Sequence, residues 1–81
     1  MRQMKAAKLT YTVVVEQAKG NLSAYAPDLP GCVATGRTEN EVLRRMTRAI
    51  ELHLRGLKED GLPIPKPRTR SREIEFSLSA A

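Results

Sequence analysis

Residues 38–61 read TENEVLRRMTRAIELHLRGLKEDG, a helix with both of its ends written into the sequence. Thr38 and Glu41 have capping-box spacing: the threonine side chain accepts from the Glu41 amide while the Glu41 carboxylate reaches back to the Thr38 amide. The helix runs to about Asp60, where Gly61 serves as the C-terminal cap and Pro63 bars continuation. Placed 100° apart, Val42, Leu43, Met46, Ala49, Ile50, His53, Leu54 and Leu57 share one arc, with Arg44, Arg48, Glu51, Arg55 and Lys58 opposite. Such a helix needs a single apolar surface to lie on.

The flanking segments supply that surface. Leu9 to Gln17 (LTYTVVVEQ) is rich in β-branched residues and reads as a strand, with Leu9, Tyr11, Val13 and Val15 on one face. Lys19-Gly20-Asn21 provides turn chemistry, and Leu22 to Ala26 returns as the second arm of a hairpin. Pro27-Asp28-Leu29-Pro30-Gly31 is a stiff loop, because neither proline donates a backbone hydrogen bond. Cys32 to Gly36 is a short third strand. After the helix, Pro63, Pro65 and Pro67 hold a connector extended. Glu73 to Ser79 (EIEFSLS) then alternates as a fourth strand, with Ile74, Phe76 and Leu78 on one face. Strands apolar on one side and one amphipathic helix define an α+β, two-layer β-β-β-α-β domain, with the helix on one face of a four-stranded sheet. The fourth strand is parallel to the first and third, and both sheet edges are open.

With 81 residues there is one domain, spanning 9–81, preceded by a basic N-terminal extension, 1–8, whose order the sequence leaves open. No apolar run approaches the roughly 18 residues that span a bilayer. One cysteine and one histidine make neither an internal disulfide nor a metal cluster of the usual spacing, so a reduced, cytoplasmic protein without cofactor or metal is expected. Fourteen Lys and Arg against nine Asp and Glu leave a net charge of +5, which points to an acidic partner or nucleic acid.

The stretch from Gly20 to Gly36, GNLSAYAPDLPGCVATG, runs into Arg37-Thr38 and the helix, with Gly61-Leu62-Pro63-Ile64-Pro65 beyond it. In this order the pieces closely resemble the HicB antitoxin family over Tyr11 to Pro67. The resemblance implies a partial ribonuclease-H-like fold with strand order 3-2-1-4. It also implies the antitoxin half of a type II toxin–antitoxin pair, which binds a small HicA-type mRNA-cleaving toxin and masks its active site. Many members carry a separate helix-turn-helix or ribbon-helix-helix segment for the operator. Here two residues follow the fourth strand and eight precede the first, so operator repression by this chain alone is not expected.

Several residues are candidates for function. Glu16, Glu73 and Glu75 fall on the solvent face of the four-stranded sheet, where they would meet a basic toxin. Asp28 either locks its own loop or, with Leu29, presents a rigid contact to the partner. Lys66, Arg68, Arg70 and Arg72 alternate without an intervening acid, a line that would track phosphates or stand as a solvated guard on an edge strand. Hence the alternative function: an orphan HicB-like module binding nucleic acid through this segment and the helix arginines. Cys32 and His53 suggest a nucleophile and base, but a small buried cysteine and a histidine at the margin of the helix arc account for them. Metal-dependent nuclease chemistry needs several converging carboxylates, and Asp28, Asp60 and Glu16 are dispersed, so no enzyme is expected. A homodimer or homotetramer is expected.

Overall fold

The computed structural model describes residues 8–79. The chain forms β1 (Val14–Ala18), β2 (Asn21–Tyr25), β3 (Val33–Gly36) and α1 (Glu39–Glu59). The strands make an antiparallel sheet in the order β1-β2-β3. Ala18 pairs with Asn21, so the hairpin loop is the two residues Lys19-Gly20, and Asn21 belongs to β2 rather than to the turn. Gly20 has φ +78° at the second central position of the turn, a left-handed conformation that glycine adopts without strain. Val14 pairs with Tyr25, the last residue of β2. The ladder therefore stops there, and residues 9–13, expected as strand, have no partner on that side because Pro27 follows so closely.

Both helix ends close with side-chain and backbone caps. Thr38 Oγ1 accepts from the Glu41 amide at 3.1 Å. The Glu41 carboxylate accepts from the Arg37 amide at 3.0 Å, one residue before the Thr38 amide expected of it. That bond holds the Glu41 carboxyl below its ordinary pKa, with Arg45 adding a smaller pull. At the other end the Gly61 amide bonds Lys58 O and the Leu62 amide bonds Leu57 O, a Schellman closure with Gly61 at φ +68°.

The helix lies on the inner face of β3 and β2, with β1 at its margin. The core is Ala24, Ala26, Leu29, Cys32, Val42 and Met46, all buried. Tyr11, Val13, Val15, Leu22, Ala34, Ala49, Ile50 and Leu54 are partly buried around it. Of the expected helix arc, Leu43 lies outside this core and is exposed. Helix and sheet meet closely at Gly36, where a Cβ would stand 2.9 Å from Val42 N and 3.1 Å from Val42 Cα.

The expected fourth strand is not formed among the described residues. Residues 73–79 belong to no strand, and Ile74, Phe76 and Leu78 are 75%, 82% and 96% exposed. Alternation records what a segment can cover, whereas a strand exists only when an edge accepts it. No helix among the described residues is long and apolar enough to cross a membrane.

Candidate interaction surface

The register of the hairpin and of β3 lines residues up across the outer face of the sheet, the side away from α1. Val14 pairs with Tyr25, and Tyr25 with Val33, so three apolar side chains form one row. Glu16, Ser23 and Thr35 form the neighbouring row by the same pairing. Val33 is 64% exposed and Tyr25 is 39% exposed. An apolar row with an aromatic at its centre and a polar rank beside it has the composition of a small protein-binding patch. Glu16 was legible as an outer-face residue from alternation alone, but Val14, Tyr25 and Val33 were not recognised as one row. The signal lay in the loop: two residues between Ala18 and Asn21 fix Val14 opposite Tyr25 by counting.

Asp28 occupies a different position. Its Oδ2 accepts from the Arg68 amide at 2.8 Å and the Thr69 amide at 2.9 Å, and its Oδ1 accepts from Thr69 Oγ1 at 2.8 Å. One carboxylate thus clamps the loop to a connector 40 residues away, and these bonds hold its pKa below the ordinary carboxylate value. Two further side chains complete the tie: Tyr11 Oη donates to Pro65 O, and Thr12 Oγ1 donates to Thr69 O at 2.9 Å. Burial, with Asp28 nearby, pushes the Tyr11 phenol up. Leu29 is fully buried in the core. A side chain with no accessible surface holds the loop down, so the partner contact expected of Leu29 has nothing to be made with in this structure.

The connector follows the alternation seen in its sequence. Pro65, Pro67 and Thr69 are half-buried against the body, while Lys66, Arg68, Arg70 and Arg72 are exposed. Glu73 and Glu75 are exposed on the segment beyond them, not on the sheet beside Glu16, because the fourth strand that would carry them there is not paired. Cys32 is buried, and burial pushes its thiol up, opposite to what a nucleophile needs. His53 is half-buried on α1. Among the described residues, no group of three or more His, Cys, Asp or Glu side chains could hold a metal ion.

What the geometry defines, then, is a small α+β module with one sheet face covered by the helix and Tyr25 and Val33 exposed on the other. Residues 11–76 match the model of the HicB-like antitoxins of bacterial toxin–antitoxin systems. The chain belongs to that family. It is 39% identical over 57 residues to a UPF0150 protein of Synechocystis, covering 69% of this chain and 72% of that one. It is 31% identical over 58 residues to an uncharacterized protein of Haemophilus phage HP1, covering 72% of this chain but only 44% of the phage protein's length. Among solved structures, it resembles a chain of a HicA3 and HicB3 toxin–antitoxin complex with a TM-score of 0.64 and 25% identity, over 74% of this chain and 70% of the other.

Proposed function

We propose that this chain is an antitoxin that binds a small HicA-type mRNA-cleaving toxin through the outer face of its sheet and masks the toxin's active site without itself being an enzyme. The observation that carries this reading is the row Val14–Tyr25–Val33 on the face opposite the helix, in which Tyr25 and Val33 are exposed and Val14 is half-buried. Family membership and the structural likeness to a toxin–antitoxin complex supply the partner class. Glu16 beside the apolar row gives the patch an acidic member, suited to a basic ribonuclease despite the chain's net charge of +5. Glu73 and Glu75 join it on that face when the last segment is paired. Such a role belongs in the cytoplasm, where mRNA is cleaved and Cys32 stays reduced.

The test is titration of Val33→Glu and Tyr25→Asp against a small HicA-type ribonuclease from the same genome. Both side chains are exposed, so circular dichroism should be unchanged while affinity falls about tenfold or more for each. Wild-type affinity in both variants contradicts the proposed surface.

A second reading rests on the outward line of Lys66, Arg68, Arg70 and Arg72, whose side chains are exposed and, among the described residues, form no salt bridge. It makes the chain a nucleic-acid binder through that segment and the helix arginines. Its mark is RNA or DNA affinity falling steeply as salt is raised, and binding insensitive to salt rules it out.

A further inference from the structure

We propose that residues 73–79 form a strand donated to the free edge of β1 in a second copy of this chain, the exchange being reciprocal in a homodimer. Three observations converge on this. The segment carries the most exposed large apolar side chains among the described residues, Ile74, Phe76 and Leu78, at strict period 2, with Glu73, Glu75, Ser77 and Ser79 between them. That pattern fits a strand covering an apolar face on one side and meeting water on the other.

The acceptor is present in the same molecule. β1 pairs only with β2, so its other edge is open, and the helix leaves the adjoining inner face incompletely covered. Val13 and Val15 on the sheet side and Ile50 and Leu54 on the helix side are only partly buried along that border. Ile74, Phe76 and Leu78 laid beside β1 would complete the cover. β3 is the poorer acceptor, since the helix sits over it and Arg45 Nη1 already donates to its Thr35 carbonyl at 2.9 Å.

The chain's own connector argues for a second copy. Where it passes the start of β1, the Thr69 amide is taken by Asp28 and its carbonyl by Thr12 Oγ1, both side chains, so no ladder with β1 begins. From Arg70 to Ser79 every residue is exposed, and among the described residues no backbone–backbone hydrogen bond is made after Leu62. Donor and acceptor on one chain are self-complementary under a two-fold axis, which closes the assembly at two. Two donated strands, each with an aromatic and two aliphatic anchors, bury on the order of the 1,200–2,000 Å² of a stable interface.

The experiment uses the full chain without any toxin, so its result is independent of the antitoxin reading. Sedimentation should show a dimer. The variant Ile74→Asp/Phe76→Asp, altered only at exposed positions, should keep its helical signal while its dimer dissociation constant rises about 100-fold or more. In a dimer assembled from ¹³C-labelled and unlabelled chains, filtered nuclear Overhauser contacts should join the Phe76 ring to Val15 or Leu54 methyl groups across the label boundary. A wild-type monomer, whether the segment folds onto its own sheet or stays in water, overturns the proposal. So does a dimer that the double variant leaves intact.

Discussion

Asp28 holds two backbone amides and one hydroxyl from the connector, and among the described residues no other hydrogen bond ties that stretch to the proline loop. Because these bonds favour the charged carboxylate, its pKa is lower folded than unfolded. The clamp's contribution is therefore complete above the ordinary aspartate value of about 3.9 and is lost as pH falls through the lower folded value. Acid should release the connector before it reaches the core. Asp28→Ala should release it at neutral pH, read as faster tryptic cleavage after Arg68, with the far-ultraviolet spectrum little changed. Cleavage equal to wild type would show that Tyr11 and Thr12 suffice. That Asp28 would bond backbone amides was legible from its place between two prolines. Which amides was not, because Arg68 and Thr69 come to it only through the tertiary fold.

At the scale of elements, two glycines separate packing from propensity. Gly36 faces Val42 backbone atoms at 2.9 and 3.1 Å from where a Cβ would be, and neither atom can step aside. Gly36→Ala should cost about 1–3 kcal/mol through overpacking. Gly56 lies within α1 with open space around it, so Gly56→Ala should add about 0.5–1 kcal/mol. Chemical denaturation of the two variants should move in opposite directions, and a shared direction would refute this account of the helix–sheet contact. The helix was the most legible element because its signals are local: a threonine, a glutamate three residues on, an apolar arc and a terminal glycine. The sheet was less so. Strand pairing depends on where the partner begins and ends, which is why β1 starts at Val14 rather than Leu9 and why 73–79 alternates like a strand yet pairs with no strand among the described residues.

For the whole molecule, the helix covers one face of a three-stranded sheet and leaves Tyr25 and Val33 exposed on the other. The outer row is a property of register, so it belongs to no single segment of sequence and emerges only when Val14, Tyr25 and Val33 are aligned. The donated segment acts at the opposite side of β1, with its apolar residues toward the helix layer and Glu73 and Glu75 toward the outer face. Dimerisation and toxin binding are thus compatible, and Glu73→Lys/Glu75→Lys should weaken toxin binding about tenfold while leaving the dimer intact. Equal toxin affinity would remove these two residues from the surface. The most direct measurement of the central claim is cleavage of RNA by a HicA-type toxin from the same genome, titrated with this chain. Cleavage should stop at a stoichiometric ratio of chain to toxin and resume with Val33→Glu; cleavage that continues undiminished under excess wild-type chain would contradict the antitoxin assignment.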